Sequence, residues 1–257
     1  MKRNKIVVVA LLLVMSVFVI SLTASAAETD PGNPIPGLNV NIGSSGAAGS
    51  SNTVTLLLLL TVLSLAPSFL ILMTSFTRIV IVLGFVRTSL GTQQMPPNQV
   101  LIGLALFLTF FIMSPTLGQV NQTALQPYLK GEINQTQAFQ KAAGPMKEFM
   151  FKHTRQKDLK LFLDYTKAKA PTGVDDIPIT ALVPAYAISE LKSAFQMGFM
   201  IFIPFLVIDM VVSSTLMAMG MMMLPPVMIS LPFKILLFIL VDGWYLVVKS
   251  LLLSYST

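Results

Sequence analysis

The sequence predicts an all-α membrane protein: four hydrophobic helical segments in two hairpins, with a small helical extracytoplasmic domain between them. Of the 257 residues, 54% are hydrophobic and only 11% are charged, whereas roughly a quarter of the residues in a soluble domain are charged. Long stretches carry almost no charge, which is typical of a chain that crosses a bilayer. The charged side chains concentrate between residues 130 and 192, which predicts one polar domain.

The first 26 residues have the pattern of a cleavable secretory signal peptide. A basic start precedes an apolar run over residues 6–20, and the small residues at 24–26 form a cleavage site after Ala26. An uncleaved anchor is the alternative, but the apolar run is short for a membrane span. Residues 27–53 are rich in Gly, Ser, Pro and Asn, which predicts a disordered extracytoplasmic tail.

Residues 54–117 are predicted to form the first hydrophobic hairpin, with Val54–Phe76 and Val100–Leu117 as its two apolar runs. Arg78 and Arg87 follow the first run. Because basic residues accumulate in short cytoplasmic connections, we expect this run to pass from outside to inside.

Residues 118–193 are predicted to form a helical periplasmic domain. Helical periodicity is plausible in Gln135–Ala143 and clearer in Pro145–Ala168. The second of these segments carries apolar residues that predict a buried stripe: Met146, Phe149, Met150, Leu159, Phe162 and Leu163. The basic excess here does not contradict a periplasmic location, because the charge rule applies to connections shorter than roughly 60 residues.

Residues 194–257 are predicted to form the second hydrophobic hairpin, with the break at Pro225-Pro226. Its apolar runs contain the charged residues Asp209, Lys234 and Asp242. An unpaired carboxylate within a membrane costs a few kcal/mol. We therefore favour pairing of these acids with Arg78 or Lys234, while a proton relay and an aspartyl catalytic dyad stay as alternatives. Neither acid has the Gly-x-Gly-Asp context of intramembrane aspartyl proteases.

Seven of the 16 methionines lie between Met210 and Met228, including Met219, Met221, Met222 and Met223. Methionine is flexible and polarizable, so it fills irregular gaps between helices. The same properties suit a deformable apolar seal that closes a passage and yields when a chain moves through it. The residues by themselves leave both interpretations open.

The sequence carries no signal for enzymatic chemistry. Cysteine is absent, histidine occurs once, and we find no phosphate loop, dinucleotide fingerprint or metal-ligand cluster. We therefore predict no catalytic residue, cofactor or metal. The formal charge of +6 does not indicate nucleic-acid binding, because the basic residues of the middle segment are interleaved with acids.

Four stretches resemble signatures of the FliP family, and the resemblance extends from about Val54 to the C-terminus. These stretches are Pro184–Leu191 with Phe195–Phe199, Pro232–Phe238 with Asp242-Gly243-Trp244, Met219–Pro226, and Arg87-Thr88 through Met95–Gln99. Proteins of this family form the export gate of the flagellar type III secretion apparatus in the inner membrane, within the flagellar basal body.

The resemblance implies partners and sites that hydropathy does not. It implies a ring of five copies with FliQ-like and FliR-like subunits, contacts with other membrane proteins of the export apparatus, and passage of unfolded flagellar proteins. It also implies a methionine gasket at Met219, Met221, Met222 and Met223, and subunit contacts at Phe149, Phe162 and Glu190. In such a gate the hydrophobic segments tilt and rise toward the periplasm, so four orderly crossings describe the inserted precursor.

Two other functions stay open at this point. The nearest alternative is the equivalent export-gate subunit of a virulence injectisome. A more distant one is an ion-coupled small-solute transporter that uses Asp209 and Asp242. Such transporters usually contain internal repeats, and this sequence has none that we detect.

Overall fold

A computed structural model describes residues 49–92, 94–166, 171, 173–221 and 223–256. The signal peptide predicted for residues 1–26 and most of the tail predicted for residues 27–53 lie outside the described residues. Every regular element in the described residues is helical, which confirms the all-α class. The helices are α1 (Gly49–Met73), α2 (Phe76–Leu90), α3 (Asn98–Val120), α4 (Gln126–Leu129), α5 (Gln135–His153), α6 (Gln156–Thr166), α7 (Ile179–Ala218), α8 (Pro226–Leu240) and α9 (Gly243–Leu253). A π-helical turn, Asn121–Leu125, joins α3 to α4.

The first hydrophobic segment differs from the prediction. Residues 49–53, expected to be part of a disordered tail, begin α1, and the chain bends by 81° between Met73 and Phe76. The connection expected after Phe76 is instead mostly the helix α2. Its fully buried apolar residues lie at positions i, i+3, i+4 and i+7, namely Ile79, Val82, Leu83 and Val86, which is the spacing of one helix face. Arg78 and Arg87, near the two ends of this helix, made the segment resemble a polar connection in the sequence.

Two helical stretches among the described residues are long and apolar enough to cross a membrane, Asn98–Leu129 and Ile179–Ala218. The number rises to four if each bent pair counts as one span. The second bent pair joins α8 to α9 at an angle of 62°. The chain therefore carries apolar helices that are compatible with a membrane protein, and two of its candidate spans are bent.

Two apolar cores share the helix α7. Its first turns, with Leu182 and Tyr186, pack with α5 and α6, where all six residues of the predicted stripe lie buried or half-buried. That stripe is divided between two helices, because α5 ends at His153 and Pro145 lies inside it. Further along α7, Ala194 and Phe205 join a core built on α2, α3, α8 and α9.

The helix α7 runs for 40 residues without interruption. It passes residue 193, the boundary predicted between the periplasmic domain and the second hairpin, so one continuous helix belongs to both regions. The helix ends at Ala218, and α8 begins at Pro226, where the sequence predicted a break. The connection between the two helices contains Met219, Met221 and Met223 among the described residues.

Candidate functional site

The connection between α7 and α8 is a short methionine-rich loop, residues 219–225, which we call the methionine loop. Gly220 has a left-handed backbone with φ of 76°, a conformation that glycine adopts without steric cost and that turns the chain out of α7. Met219 is 69% exposed and Met223 is 99% exposed, while Met221 is half-buried. Met222 lies outside the described residues. The described thioether side chains are thus presented mostly outward, at the tip of a helical hairpin.

A charged contact clamps this hairpin below the loop. The Asp209 carboxylate of α7 lies 2.6 Å from the Lys234 ammonium of α8, and the Ser230 hydroxyl donates to the other carboxylate oxygen at 2.5 Å. Lys234 is 3% exposed and Ser230 is fully buried. Charges in such a setting need partners because an isolated buried ion is strongly destabilising. Of the two cations predicted as its partner, Asp209 contacts Lys234 and not Arg78.

The end of α2 also approaches this clamp. Gly91 caps α2 in a left-handed conformation with φ of 72°. A Cβ atom at this position would lie 3.9 Å from Lys234 Nζ and 3.7 Å from Val227 Cγ1. The carboxyl end of a helix carries partial negative charge, so the ammonium of Lys234 lies between two favourable partners. Three helices consequently meet behind the methionine loop.

Arg78 belongs to a second buried network. Its Nε and Nη2 atoms donate to the two oxygens of Glu190 at 2.9 and 2.5 Å, and Nη1 donates to the carbonyl and hydroxyl oxygens of Ser254. The Tyr255 hydroxyl donates to Glu190, and the guanidinium lies 4.0 Å from the centre of the Tyr255 ring. Such two-pronged contacts are the strongest that arginine makes. They join α2, α7 and the segment after α9.

A third contact attaches the polar domain to α7. Arg155 and Ser189 both donate to Asp158 Oδ2 at 2.6 Å, and the Arg155 backbone amide donates to Ser189. Burial raises the pKa of Asp158, but the hydrogen bonds and the positive charge of Arg155 outweigh it, so the pKa lies below its ordinary value. The ionised carboxylate therefore holds the start of α6 against α7.

Asp242 has a position of a different kind. Its backbone is left-handed, with φ of 51° and ψ of 57°, and its exposed side chain does not cap α9. It forms the corner between α8 and α9 with Gly243, where a Cβ atom would lie 2.2 Å from the Phe238 ring. Only small residues and residues that tolerate positive φ fit this corner. The structure thus gives Asp242 a backbone role at the bend.

The three residues predicted as subunit contacts lie in the chain's own core in the described structure. Glu190 is fully buried against Arg78 and Tyr255 of its own chain. Phe149 is 8% exposed and packs against the rings of His153, Tyr186 and Tyr255. The contacts between copies at these residues stay a prediction. Phe162 is half-buried in the same core.

Several residues of these networks escaped the sequence reasoning. Ser189, Ser230 and Tyr255 are ordinary residues in ordinary contexts, and no local pattern distinguishes them. Tyr255 in particular reaches a carboxylate 65 residues away. The left-handed Gly91 offered one usable signal, because glycine after a regular apolar helix pattern is typical of a helix end. The described residues contain no group of three acidic or histidine side chains placed to hold a metal ion.

Comparison with known proteins finds a family that this chain matches over most of its length. The family model described as the FliP family matches residues 59–251. The chain is similar to the flagellar biosynthetic protein FliP of Bacillus subtilis, with 71% identity over 76% of this chain and 89% of the relative. It is also similar to the proteins of the same name from Aquifex aeolicus, at 51% identity over 77% of this chain and 83% of the relative, and from Buchnera aphidicola, at 49% identity over 94% of this chain and 62% of the relative.

Proposed function

This chain belongs to the FliP family, and from that premise we propose that it is a pore-forming subunit of the flagellar type III protein export gate. In this role it passes unfolded flagellar proteins across the inner membrane while the flagellum is assembled. It acts in a ring of five copies with FliQ-like and FliR-like subunits, near the other membrane proteins of the export apparatus in the basal body. It is not an enzyme, and other components supply the energy.

The methionine loop is the observation that carries this proposal. Flexible thioether side chains lie exposed at the tip of a hairpin, where copies arranged around an axis would bring them together. A ring of such side chains excludes water and ions when closed, because it is apolar and adapts its shape. It also yields to an extended polypeptide without fixed contacts to any one sequence.

The clamp below the loop supports the same assignment. The contact of Asp209 with Lys234 and Ser230 holds α7 and α8 together, so the loop is supported on a fixed base. A flexible seal on a fixed base opens and closes without movement of the surrounding helices. Asp209 and Lys234 are therefore positioning residues of the gate in our proposal, and Asp242 shapes the bend.

The first experiment is deletion of the gene in its own host, with motility and flagellar hook protein in the medium as the two readouts. We expect loss of motility and hook protein retained in the cell, both restored by a plasmid copy. Normal flagella would overturn the proposal and direct attention to an injectisome, with secretion of virulence effectors as the assay. The similar proteins are flagellar biosynthetic proteins, which favours the flagellar apparatus.

The gasket is tested by replacing Met221, Met222 and Met223 together with Ala. We expect assembly to persist while small ions leak across the membrane during export, because alanine is too short to close the passage. The matched control replaces the same residues with Leu, which keeps the apolar volume and should restrict the leak. Unchanged ion permeability in the alanine variant would contradict the gasket role.

A further inference from the structure

The proposed function gives no role to the connection between α2 and α3, residues 91–97, which we call the α2–α3 loop. It begins at Gly91, the left-handed residue that ends α2. The backbone amide of Met95 donates to the Thr92 carbonyl at 3.0 Å, and the Thr92 hydroxyl donates to the Met95 carbonyl at 2.5 Å. These two hydrogen bonds close a turn inside the loop, so the loop has a defined shape.

Arg87, in the last turn of α2, links the two helices across this loop. Its Nη1 atom donates to Asn98 Oδ1 at 2.5 Å and makes a longer contact of 3.4 Å with the Pro96 carbonyl. Asn98 is the first residue of α3. Hydrogen bonds from an ionised donor are stronger than those between neutral groups. The half-buried guanidinium therefore holds the end of α2 and the start of α3 together.

The start of the loop lies against α8. A Cβ atom at Gly91 would lie 3.7 Å from Val227 Cγ1 and 3.9 Å from Lys234 Nζ. Val227 is the second residue of α8 and follows the methionine loop directly, while Lys234 is the cation that contacts Asp209 of α7. The α2–α3 loop therefore adjoins α8 both where the methionine loop enters it and where the clamp holds it.

We propose that Arg87 is a positioning residue of the gate. Through Asn98 it fixes the shape of the α2–α3 loop, and that loop fixes the end of α8 from which the methionine loop extends. A helix held at one point pivots, whereas contacts at Val227 and at Lys234, about two helical turns apart, set its direction. The inference rests on the proposed function, because it takes the methionine loop to be the seal.

The first test measures potassium efflux from cells that contain the assembled gate and no export substrate. We expect Arg87→Ala to leak potassium several-fold faster than the unmodified gate at equal abundance, because α8 pivots and the seal closes incompletely. Arg155→Ala is the matched control, since it removes an arginine whose contact with Asp158 lies in the polar domain. A tight Arg87→Ala gate, or equal leaks in the two variants, would overturn the proposal.

Variants of Asn98 test the route by which Arg87 acts. Asn98→Ala removes the acceptor and should leak as Arg87→Ala does. The double variant should leak no more than either single variant, because both changes break the same contact. Asn98→Asp keeps an acceptor for the guanidinium and should seal normally. A tight Asn98→Ala gate, or leaks that add in the double variant, would contradict a route through Asn98.

A disulfide between the loop and α8 replaces the lost contact. The chain contains no native cysteine, and the approach of Gly91 to Val227 suits the Cβ separation of about 3.5–4.5 Å in a disulfide. Gly91→Cys with Val227→Cys, added to Arg87→Ala, should stop the leak when oxidised and restore it when reduced. A leak that persists after the disulfide has formed would exclude positioning of α8 by the loop. Absence of the disulfide under oxidation would contradict the contact between the loop and α8.

The alanine variant of Met221, Met222 and Met223 separates this inference from the proposed function. If that variant leaks and Arg87→Ala does not, the gasket stands and the positioning role of Arg87 is wrong. If neither variant leaks, the gasket itself is wrong, and the role of Arg87 that depends on it is wrong as well.

Discussion

A Cβ atom at Gly198 would lie only 2.4 Å from Cδ2 of the Phe85 ring. This approach joins α7 to α2, and Phe85 also packs edge-on against Phe195 one turn away, with ring centroids 5.4 Å apart. Glycine at this position therefore determines how near the two central helices lie. The contact lies between the two buried charge networks of α7, so its spacing affects both.

Gly198→Ala should destabilise the folded chain by about 1–3 kcal/mol, because the added methyl group overpacks a close helix contact. The measurement is the midpoint of thermal unfolding in detergent, followed by circular dichroism. Gly84→Ala is the matched control, because nothing lies within 4 Å of its added Cβ atom. A Gly198→Ala protein as stable as the control would show that the helices separate at no cost.

Lys234→Met should destabilise the second hairpin by about 3 kcal/mol, the lower end for a broken buried pair, because the Asp209 side chain is 28% exposed. We expect less protein in the membrane and less export. Lys249→Met, on an exposed residue of α9, serves as the control. The double variant Asp209→Leu with Lys234→Met should recover abundance, since it removes both charges. Loss of export at normal abundance in that double variant would instead assign the pair a role in ion coupling.

Replacement of Asp242 distinguishes a backbone role from a role of its charge. Asn and Gly both tolerate the left-handed conformation, whereas Val in this conformation costs at least about 1–2 kcal/mol. We therefore expect motility to persist in Asp242→Asn and Asp242→Gly and to fall in Asp242→Val. If the Asn and Gly variants are both non-motile at normal abundance, the carboxylate itself is required.

Tyr255→Phe should destabilise the chain by about 1–3 kcal/mol, because Glu190 then loses one hydrogen-bond donor in a buried site. The ring keeps its stacking on Phe149, with centroids 6.2 Å apart, so the variant isolates the hydroxyl. Resistance to protease in detergent measures the effect. Tyr165→Phe, at a residue that is 88% exposed, should behave as the unmodified protein. Equal protease sensitivity of the two variants would argue against the buried contact.

The contact of Asp158 predicts a dependence on acidic pH. Its pKa is lowered in the folded chain, so its contribution to stability is complete above the unfolded pKa near 3.8 and is lost as the pH falls through the folded value. Asp158→Asn should therefore lower the unfolding midpoint at neutral pH and flatten its decline in acid. Asp164→Asn is a control on the same helix. A decline in acid that is identical in all three proteins would exclude Asp158 as a source.

Sequence reasoning found what depends on local pattern and composition. The all-helical class, the polar middle segment, the break at Pro225-Pro226 and the family follow from runs of residues read in order. The reasoning was wrong where a contact joins distant residues. The sequence predicts Arg78 in a cytoplasmic connection and as a partner of Asp209 or Asp242, but it is buried on Glu190, 112 residues away, and no periodicity of either segment reports such a pair.

The left-handed corner at Asp242 was missed for another reason. A carboxylate in an apolar run draws attention to its charge, whereas the structure uses its tolerance of positive φ. Tertiary packing, which sequence periodicity does not encode, creates this corner.

The network around Arg78 is completed late in the synthesis of the protein. Arg78 is translated 176 residues before Ser254 and 112 before Glu190, so during synthesis the guanidinium exists for a long interval without its acceptors. The complete set of contacts around Arg78 and Glu190 therefore forms only after Ser254 and Tyr255 have been synthesised. A nascent chain that has not yet reached Glu190 holds the Arg78 guanidinium without its carboxylate partner.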